Sequence, residues 1–373
     1  MNILFIGPYR QNDEWGNSSI DSIKSLLLMN GHTITCSPMY MVNNVNNNIS
    51  QEIIESEKRK CEKYDAVILH ALPNYFEKLN THTIGMYASE TKHLENSVFI
   101  DNINLLDELW TISELQKQEL KAAGVTIPIT VIPKPVDIEQ LEQHENANIL
   151  DIPEIKNKFV FYVSEQYEER KNINATIIAY NREFSNNHDV SLIIHSYANR
   201  NNPKETLQVI KKDILETKKK LRLYNNANLY PGEILITNKL SNEQLASLHN
   251  TGDCLLVTSR GESYSKIAME ALFFGNQVIC TEGTHYQYIL QEHCSCVRST
   301  ETPIMANNPP AQHMHTGWET WNEINILDLQ RVMREKYNRG KSQNTNENQE
   351  KDWIKDNFSY EETSRKMEKA LCQ

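Results

Sequence analysis

The chain has 373 residues, with Lys+Arg 38 against Asp+Glu 49 and a net charge of −11, so it is long enough for two domains of ordinary size and repels nucleic acid and anionic membrane. No apolar run approaches the 18 residues or so of a membrane-spanning helix, so no transmembrane segment is expected. The 7 Cys are odd in number and sit mostly in apolar runs, which reads as reduced core thiols of a cytoplasmic protein. His293, Cys294 and Cys296 have no second Cys/His pair at zinc spacing, so no metal site is expected. Only 12 Gly occur, well below the roughly 7% average, so Asn and Ser carry much of the turn work, as at 43–48.

In chain order, the first half alternates short apolar runs with helical periodicity. Residues 3–6, 33–36, 66–69, 97–100, 108–112 and 130–132 read as buried strands, the first of them in place of a secretory leader. Residues 18–29, 51–62 and 113–123 read as helices; Gly31 and Gly124 stand just past two of their ends, and Ser18 or Ser19 is placed to cap the first. That alternation predicts a doubly wound parallel sheet. The polar stretch 139–154, with Pro153, reads as a linker. A second α/β series then starts near Lys158, with strands at 159–163, 190–195, 234–237, 253–257 and 277–281 and helices at 174–184, 203–221, 241–249 and 265–274. A helix over 327–337, a polar Asn/Gln-rich segment over 338–350 and a terminal helix over 351–371 complete the chain. The basic run from Lys211 to Arg222 is interleaved with Asp213 and Glu216 and reads as a solvated helix face. His313, His315, Trp318 and Trp321 fall in a loop and are assigned no chemistry. Neither GxGxxG nor a Walker A motif is present, so the dinucleotide and P-loop readings lack their fingerprints.

The most informative stretch, 259–275, reads Ser-Arg-Gly-Glu-Ser-Tyr-Ser-Lys-Ile-Ala-Met-Glu-Ala-Leu-Phe-Phe-Gly. An apolar strand at 253–258 precedes it, Ser265 can cap the following helix, and Gly275 can end it. Strand, tight loop and helix together offer backbone N–H groups and a positive helix end to a phosphate. Glu262 lies in the loop, while Glu270 lies about five residues into the helix, roughly 7–8 Å along its axis. Two carboxylates so placed suit a nucleotide-diphosphate sugar, one addressing the sugar and the other a ribose diol. A second charged loop, from Glu165 to Asn172, follows the strand at 159–163, where doubly wound folds bind ligands. There Lys171 and Arg170 can hold a diphosphate and neutralise charge on a leaving group.

Glu262 and Glu270, seven residues apart, and the surrounding Gly252-Asp-Cys-Leu-Leu-Val-Thr and Glu270-Ala-Leu-Phe-Phe-Gly resemble the E-x7-E block of retaining glycosyltransferases of family 4, which have the GT-B fold. Asp107-Glu-Leu-Trp-Thr-Ile-Ser113, Val131-Ile-Pro-Lys-Pro-Val-Asp137, the run from Leu240 to His249 and the terminal segment around Trp353 to Tyr360 are similar to further parts of that family. The resemblance covers most of the chain. It implies two facing Rossmann-like doubly wound domains, an acceptor-side domain over 1–150 and a nucleotide-sugar-binding domain over 151–345, with 346–373 as a C-terminal helix crossing back to the first. It also implies that Glu262, Lys171 and His70 serve catalysis. Glu270, Arg170, Ser263, Tyr264, Ser265, Gly16 and Arg10 would bind substrate, with Gly16 in a loop facing the diphosphate and acceptor. Two departures stand out. Glu165 and Gln166 occupy the place of the family's Gly-Arg, and Ser263-Tyr264-Ser265 replaces its Gly-Phe-Gly or Gly-Trp-Gly.

The expected activity is therefore metal-independent, retaining transfer of a sugar from a nucleotide-diphosphate sugar to an unidentified acceptor, with no cofactor beyond the donor substrate. No Asp-x-Asp pattern, of the kind that holds a metal on a sugar diphosphate, occurs in the chain. Two alternatives stay open. One is a phage-type transferase acting on a nucleic-acid base, against which the net charge speaks. The other is a non-catalytic nucleotide-sugar-binding module of the same fold.

Overall fold

In the computed structural model, residues 1–41, 45, 49–197, 202–305, 315–340 and 347–372 are described; the expected Asn/Ser turn at 43–48 (Val45 apart), His313 and residues 341–346 of the polar segment lie outside them. The first alternating series comprises strands β1 (Asn2–Gly7), β2 (Thr33–Pro38), β3 (Ala66–His70), β4 (His82–Met86), β5 (Glu108–Thr111) and β6 (Ile129–Val131), with helices α1 (Glu14–Leu27), α2 (Gln51–Lys58), α3 (Val98–Ile103) and α4 (Glu114–Ala122) between them. After α5 (Ile138–Gln143) the second series has strands β7 (Phe159–Gln166), β8 (Val190–Tyr197), β9 (Glu233–Ile236), β10 (Cys254–Val257), β11 (Gln277–Thr281) and β12 (Ser295–Val297). Its helices are α6 (Ile173–Glu183), α7 (Pro203–Leu221), α8 (Asn242–Thr251), α9 (Lys266–Phe273) and α10 (His285–Leu290). A ribbon of β13 (Ser299–Pro303) and β14 (Thr320–Ile324), then α11 (Ile326–Arg339), α12 (Glu347–Phe358) and α13 (Tyr360–Leu371), complete the chain. The chain divides into one unit of Met1–Ile138, Pro303–Thr320 and Lys355–Gln373 and another of Glu139–Thr302 and Trp321–Ile354.

The first unit holds a parallel sheet of order β2-β1-β3-β4-β5-β6, buried on both faces. Successive residues of one strand feed opposite cores: Ile68 packs with Ile3, Phe5, Ile84 and Trp110, whereas Val67 and Leu69 pack with Ile100, Ile103, Leu109 and Leu120. Helix α13 closes the first of these cores with Met367 and Ala370. Its start is held by Tyr360, whose hydroxyl donates to Asp21 (2.6 Å) and Asp137 (3.2 Å), while Lys24 pairs with Asp137 at 2.7 Å.

Residues 97–100, expected as a strand, are instead the start of α3. The Ser97 side chain accepts from Phe99 N, and the buried Phe99, Ile100 and Ile103 follow helical spacing. The strand at that point of the sheet is β4, which sequence reading passed over because its apolar run is short and broken by Gly85. A Cβ there would stand 2.7 Å from Leu106 and from Phe76, so close packing selects the glycine. Helix α1 begins four residues earlier than expected, capped by Asp13 rather than by Ser18 or Ser19, which lie inside it.

The second unit repeats the plan in the order β12-β11-β10-β7-β8-β9, all parallel. Phe159, Phe161, Leu192, Ile194, Cys254, Leu256 and Ile279 face one core with α6 and α11. Local signals agree with the elements: Asn202 caps α7 ahead of Pro203, and Ser241 with Gln244 forms a capping box on α8.

Candidate functional site

In the second unit two loops meet at the carboxyl ends of β7 and β10. A 3-10 turn over Glu169–Lys171 ends on Asn172, a left-handed residue (φ 52°), and turns Lys171 into the interior. Lys171 Nζ lies 2.8 Å from Glu165 and 2.5 Å from Glu262, and all three side chains are at most 7% exposed. Arg170 donates to Gly261 O (2.8 Å), Glu262 (3.3 Å) and Glu168 (2.9 Å). Arg260 N and Ser259 Oγ both donate to Arg170 O, so the two loops are stitched through backbone as well as charge. The expected cations thus come together with the first glutamate of E-x7-E. They do so as an internally paired cluster of two cations and three carboxylates.

Glu270 is placed differently. Halfway along α9 and 5% exposed, it lies 3.7 Å from His249 Nε2, and among the described residues its carboxylate accepts no hydrogen bond. His249 is oriented by Tyr162, whose hydroxyl lies 2.8 Å from Nδ1, and by stacking on Phe274; its Nε2 has no hydrogen-bond partner. Asn276 donates to both Tyr162 Oη (2.9 Å) and His249 O (2.8 Å). The Glu270 oxygens are not among the sealed, unpartnered polar atoms, so water reaches them, and a ligand hydroxyl can take that water's place. At the start of α9, Ser265 occupies the cap position without a capping bond, and its buried Oγ has no partner. Ser263 and Tyr264 beside it are also buried. The helix ends as expected on Gly275 at φ 75°, with its N–H on Leu272 O.

The expected residues of the first unit are engaged in the fold. Gly16 is in the first turn of α1, not in a loop, and its N–H donates to Asp13 at 2.9 Å. A Cβ on it would stand 2.0 Å from Gln11 O, so this glycine lets the turn at residues 8–11 pack on the helix. Arg10 forms a two-pronged pair with Glu57 of α2, both contacts at 2.6 Å. His70 is buried at the end of β3 against Phe5 and Trp15, with Nδ1 2.8 Å from Ser19 Oγ. Burial, and secondarily the charge of Lys134, lowers its pKa to about 3, so the ring is neutral at physiological pH.

Sequence reasoning missed three participants. Glu165 appeared only as the occupant of another residue's place, and Tyr162 and His249 not at all as site residues. The pair Lys171–Glu262 spans 91 positions, and no local pattern announces it.

No known family profile matches the chain, and no curated protein matches it in sequence. Solved structures match its shape. With helices around both parallel six-stranded sheets, the fold is GT-B, that of the solved glycosyltransferases it matches in shape. Sucrose-phosphate synthase from Thermosynechococcus elongatus is 12% identical with a TM-score of 0.63, the match covering 100% of this chain and 98% of that one. Trehalose-6-phosphate synthase from E. coli, bound with UDP-2-fluoro glucose, is 11% identical at 0.62 over 100% and 99%. The Anabaena protein HepE in complex with UDP-glucose is 11% identical at 0.63 over 100% and 99%.

Proposed function

We propose that this chain is a retaining glycosyltransferase of the family 4 type, acting in the cytoplasm and needing no metal ion in the chemical step. The donor is a nucleotide-diphosphate sugar. The observation that carries the reading is Glu270, a carboxylate 5% exposed that accepts no hydrogen bond among the described residues, about one turn from the start of α9. Ribose hydroxyls would supply the missing bonds, and the diphosphate would then lie at the helix start, near Ser265. Arg170 and Lys171 would meet the charge that grows on the diphosphate as the anomeric C–O bond breaks. The acceptor oxygen would attack from the face the diphosphate leaves, and the acceptor's proton would pass to the departing phosphate oxygen. Glu262 and Glu165 are positioning residues here, since they hold Lys171. UDP-glucose and its fluoro analogue, seen with two proteins of similar shape, support a donor of this class.

One observation favours a second reading. Lys171 is neutralised by two buried carboxylates, which suits a module that binds a nucleotide sugar without turning it over. The test is incubation with UDP-, GDP- and ADP-sugars and a panel of sugar, sugar-phosphate and lipid acceptors, followed by proton NMR. Product with the donor's anomeric configuration, at a rate independent of added magnesium or manganese, supports transfer. An inverted product overturns the family 4 placement. Donor binding with neither transfer nor hydrolysis establishes the second reading.

A further inference from the structure

A cluster of three thiols lies in the second unit among residues that the sugar-transfer reading does not use. Cys280 on β11 and Cys296 on β12 are register partners in the parallel sheet, so their side chains leave the same face. Cys294, just before β12 and in extended backbone (φ −128°, ψ 162°), stands two residues before Cys296 and so shares that face. The chain therefore gathers three sulfurs from positions 14 and 16 residues apart at one sheet edge. Cys280 is fully buried, while Cys294 and Cys296 are partly open to solvent. All three Sγ atoms lie within 4.8 Å of one another, and this is the one grouping of potential metal ligands among the described residues.

The spacings have a chemical meaning. Cys280–Cys296 is 3.9 Å and Cys294–Cys296 is 4.0 Å. Sulfurs bound at about 2.3 Å to one zinc ion stand roughly 3.8 Å apart in a tetrahedron and roughly 4.0 Å apart in a trigonal plane. The third pair, Cys280–Cys294, is 2.9 Å, shorter than either and well beyond the roughly 2.05 Å of a disulfide. An opening of roughly 1 Å brings it to the ligand spacing, within reach of a side-chain rotation at the partly exposed Cys294. Adjacent His293 is outside the grouping, since neither ring nitrogen lies within 4.8 Å of all three sulfurs; its ring stacks on Trp353 at 3.9 Å.

We propose that Cys280, Cys294 and Cys296 form a site for a soft divalent cation, zinc, whose fourth position is taken from solvent. Binding replaces the thiol protons, released to solvent, with three zinc–sulfur bonds, and it pins edge strand β12 to β11. The inference stands apart from the sugar-transfer reading. Linear spacing hid the site because the third ligand comes from the neighbouring strand.

The experiment titrates the fully reduced full-length protein with cadmium and follows the near-ultraviolet thiolate-to-cadmium charge-transfer band. Zinc is then added in competition. The expected result is a band that saturates at a single equivalent and is bleached by zinc. Cys280→Ser and Cys296→Ser should each weaken binding by roughly tenfold or more, and Cys61→Ser and Cys372→Ser should leave it unchanged. Circular dichroism checks that the variants fold, and Cys294→Ala supplies a further ligand deletion should either serine variant not fold. A band of equal strength in the ligand variants, or none in the reduced wild type, overturns the proposal. Metal-free protein that forms a Cys280–Cys294 disulfide in air and binds no cadmium after reduction assigns the pair to redox chemistry instead.

Discussion

Replacing Lys171 by Met removes the ammonium that lies between two buried carboxylates, and the structure allows the cost to be bounded. Nζ stands 2.8 and 2.5 Å from Glu165 and Glu262, with side-chain exposures of 3%, 7% and 6%, so solvent screens the cluster little. Arg170, at 3.3 Å from Glu262, remains as a partial partner for one carboxylate, while Glu165 loses its contact with Lys171. Breaking a buried pair from one side costs about 3–5 kcal/mol. That is a large share of the roughly 5–15 kcal/mol that holds a domain folded. Because the chain has two units, a single global midpoint is a poor observable. Hydrogen exchange read by mass spectrometry on peptides covering 159–172 and 258–266 reports the second unit directly. Lys171→Met should speed exchange there, and adding Glu165→Gln should restore at least about 1 kcal/mol, because the two carboxylates that met at the ammonium no longer repel each other. Exchange within about 0.5 kcal/mol of wild type in the single variant would refute the assignment of Lys171 as the counter-ion of this cluster.

Gly16→Ala places a Cβ 2.0 Å from Gln11 O and should cost about 3 kcal/mol or more in urea unfolding of the first unit; a neutral outcome would mean the turn at 8–11 yields. His70, held at about 3 against its ordinary 6.5, binds its proton in the unfolded chain but not in the folded one between those values. Its contribution is complete above about pH 6.5 and falls by up to about 1.4 kcal/mol per pH unit below it. In urea unfolding of the first unit, His70→Gln should therefore lose less stability between pH 6.5 and 5 than wild type does. Equal slopes in wild type and variant would remove the buried neutral ring from the account.

Much of the fold was legible because local and global preferences agree. Asn202 and Pro203 announce the start of α7, and apolar runs mark β1, β3, β7, β8, β10 and β11. Where they disagree the reading failed: Ser97 caps a helix inside an apolar run, and the packing that selects Gly85 is invisible in sequence. Of the site, strand, loop and Gly-ended helix around E-x7-E were legible from spacing and turn chemistry. Its electrostatics were not. Glu165 and Glu262 reach Lys171 from opposite sides of the chain's order, and only the loop's turn at Asn172 puts the ammonium between them.

The account rests on Glu270 as an acceptor for the donor's ribose, and calorimetry tests this most directly. Titration of UDP-, GDP- and ADP-sugars into wild type and Glu270→Gln, with circular dichroism to verify folding, should find a donor bound by wild type. The variant should bind that donor about tenfold to a hundredfold more weakly, the loss of a charge-assisted hydrogen bond worth roughly 1.5–3 kcal/mol. Equal affinity in a folded variant, or no binding of any nucleotide sugar by wild type, would contradict the account.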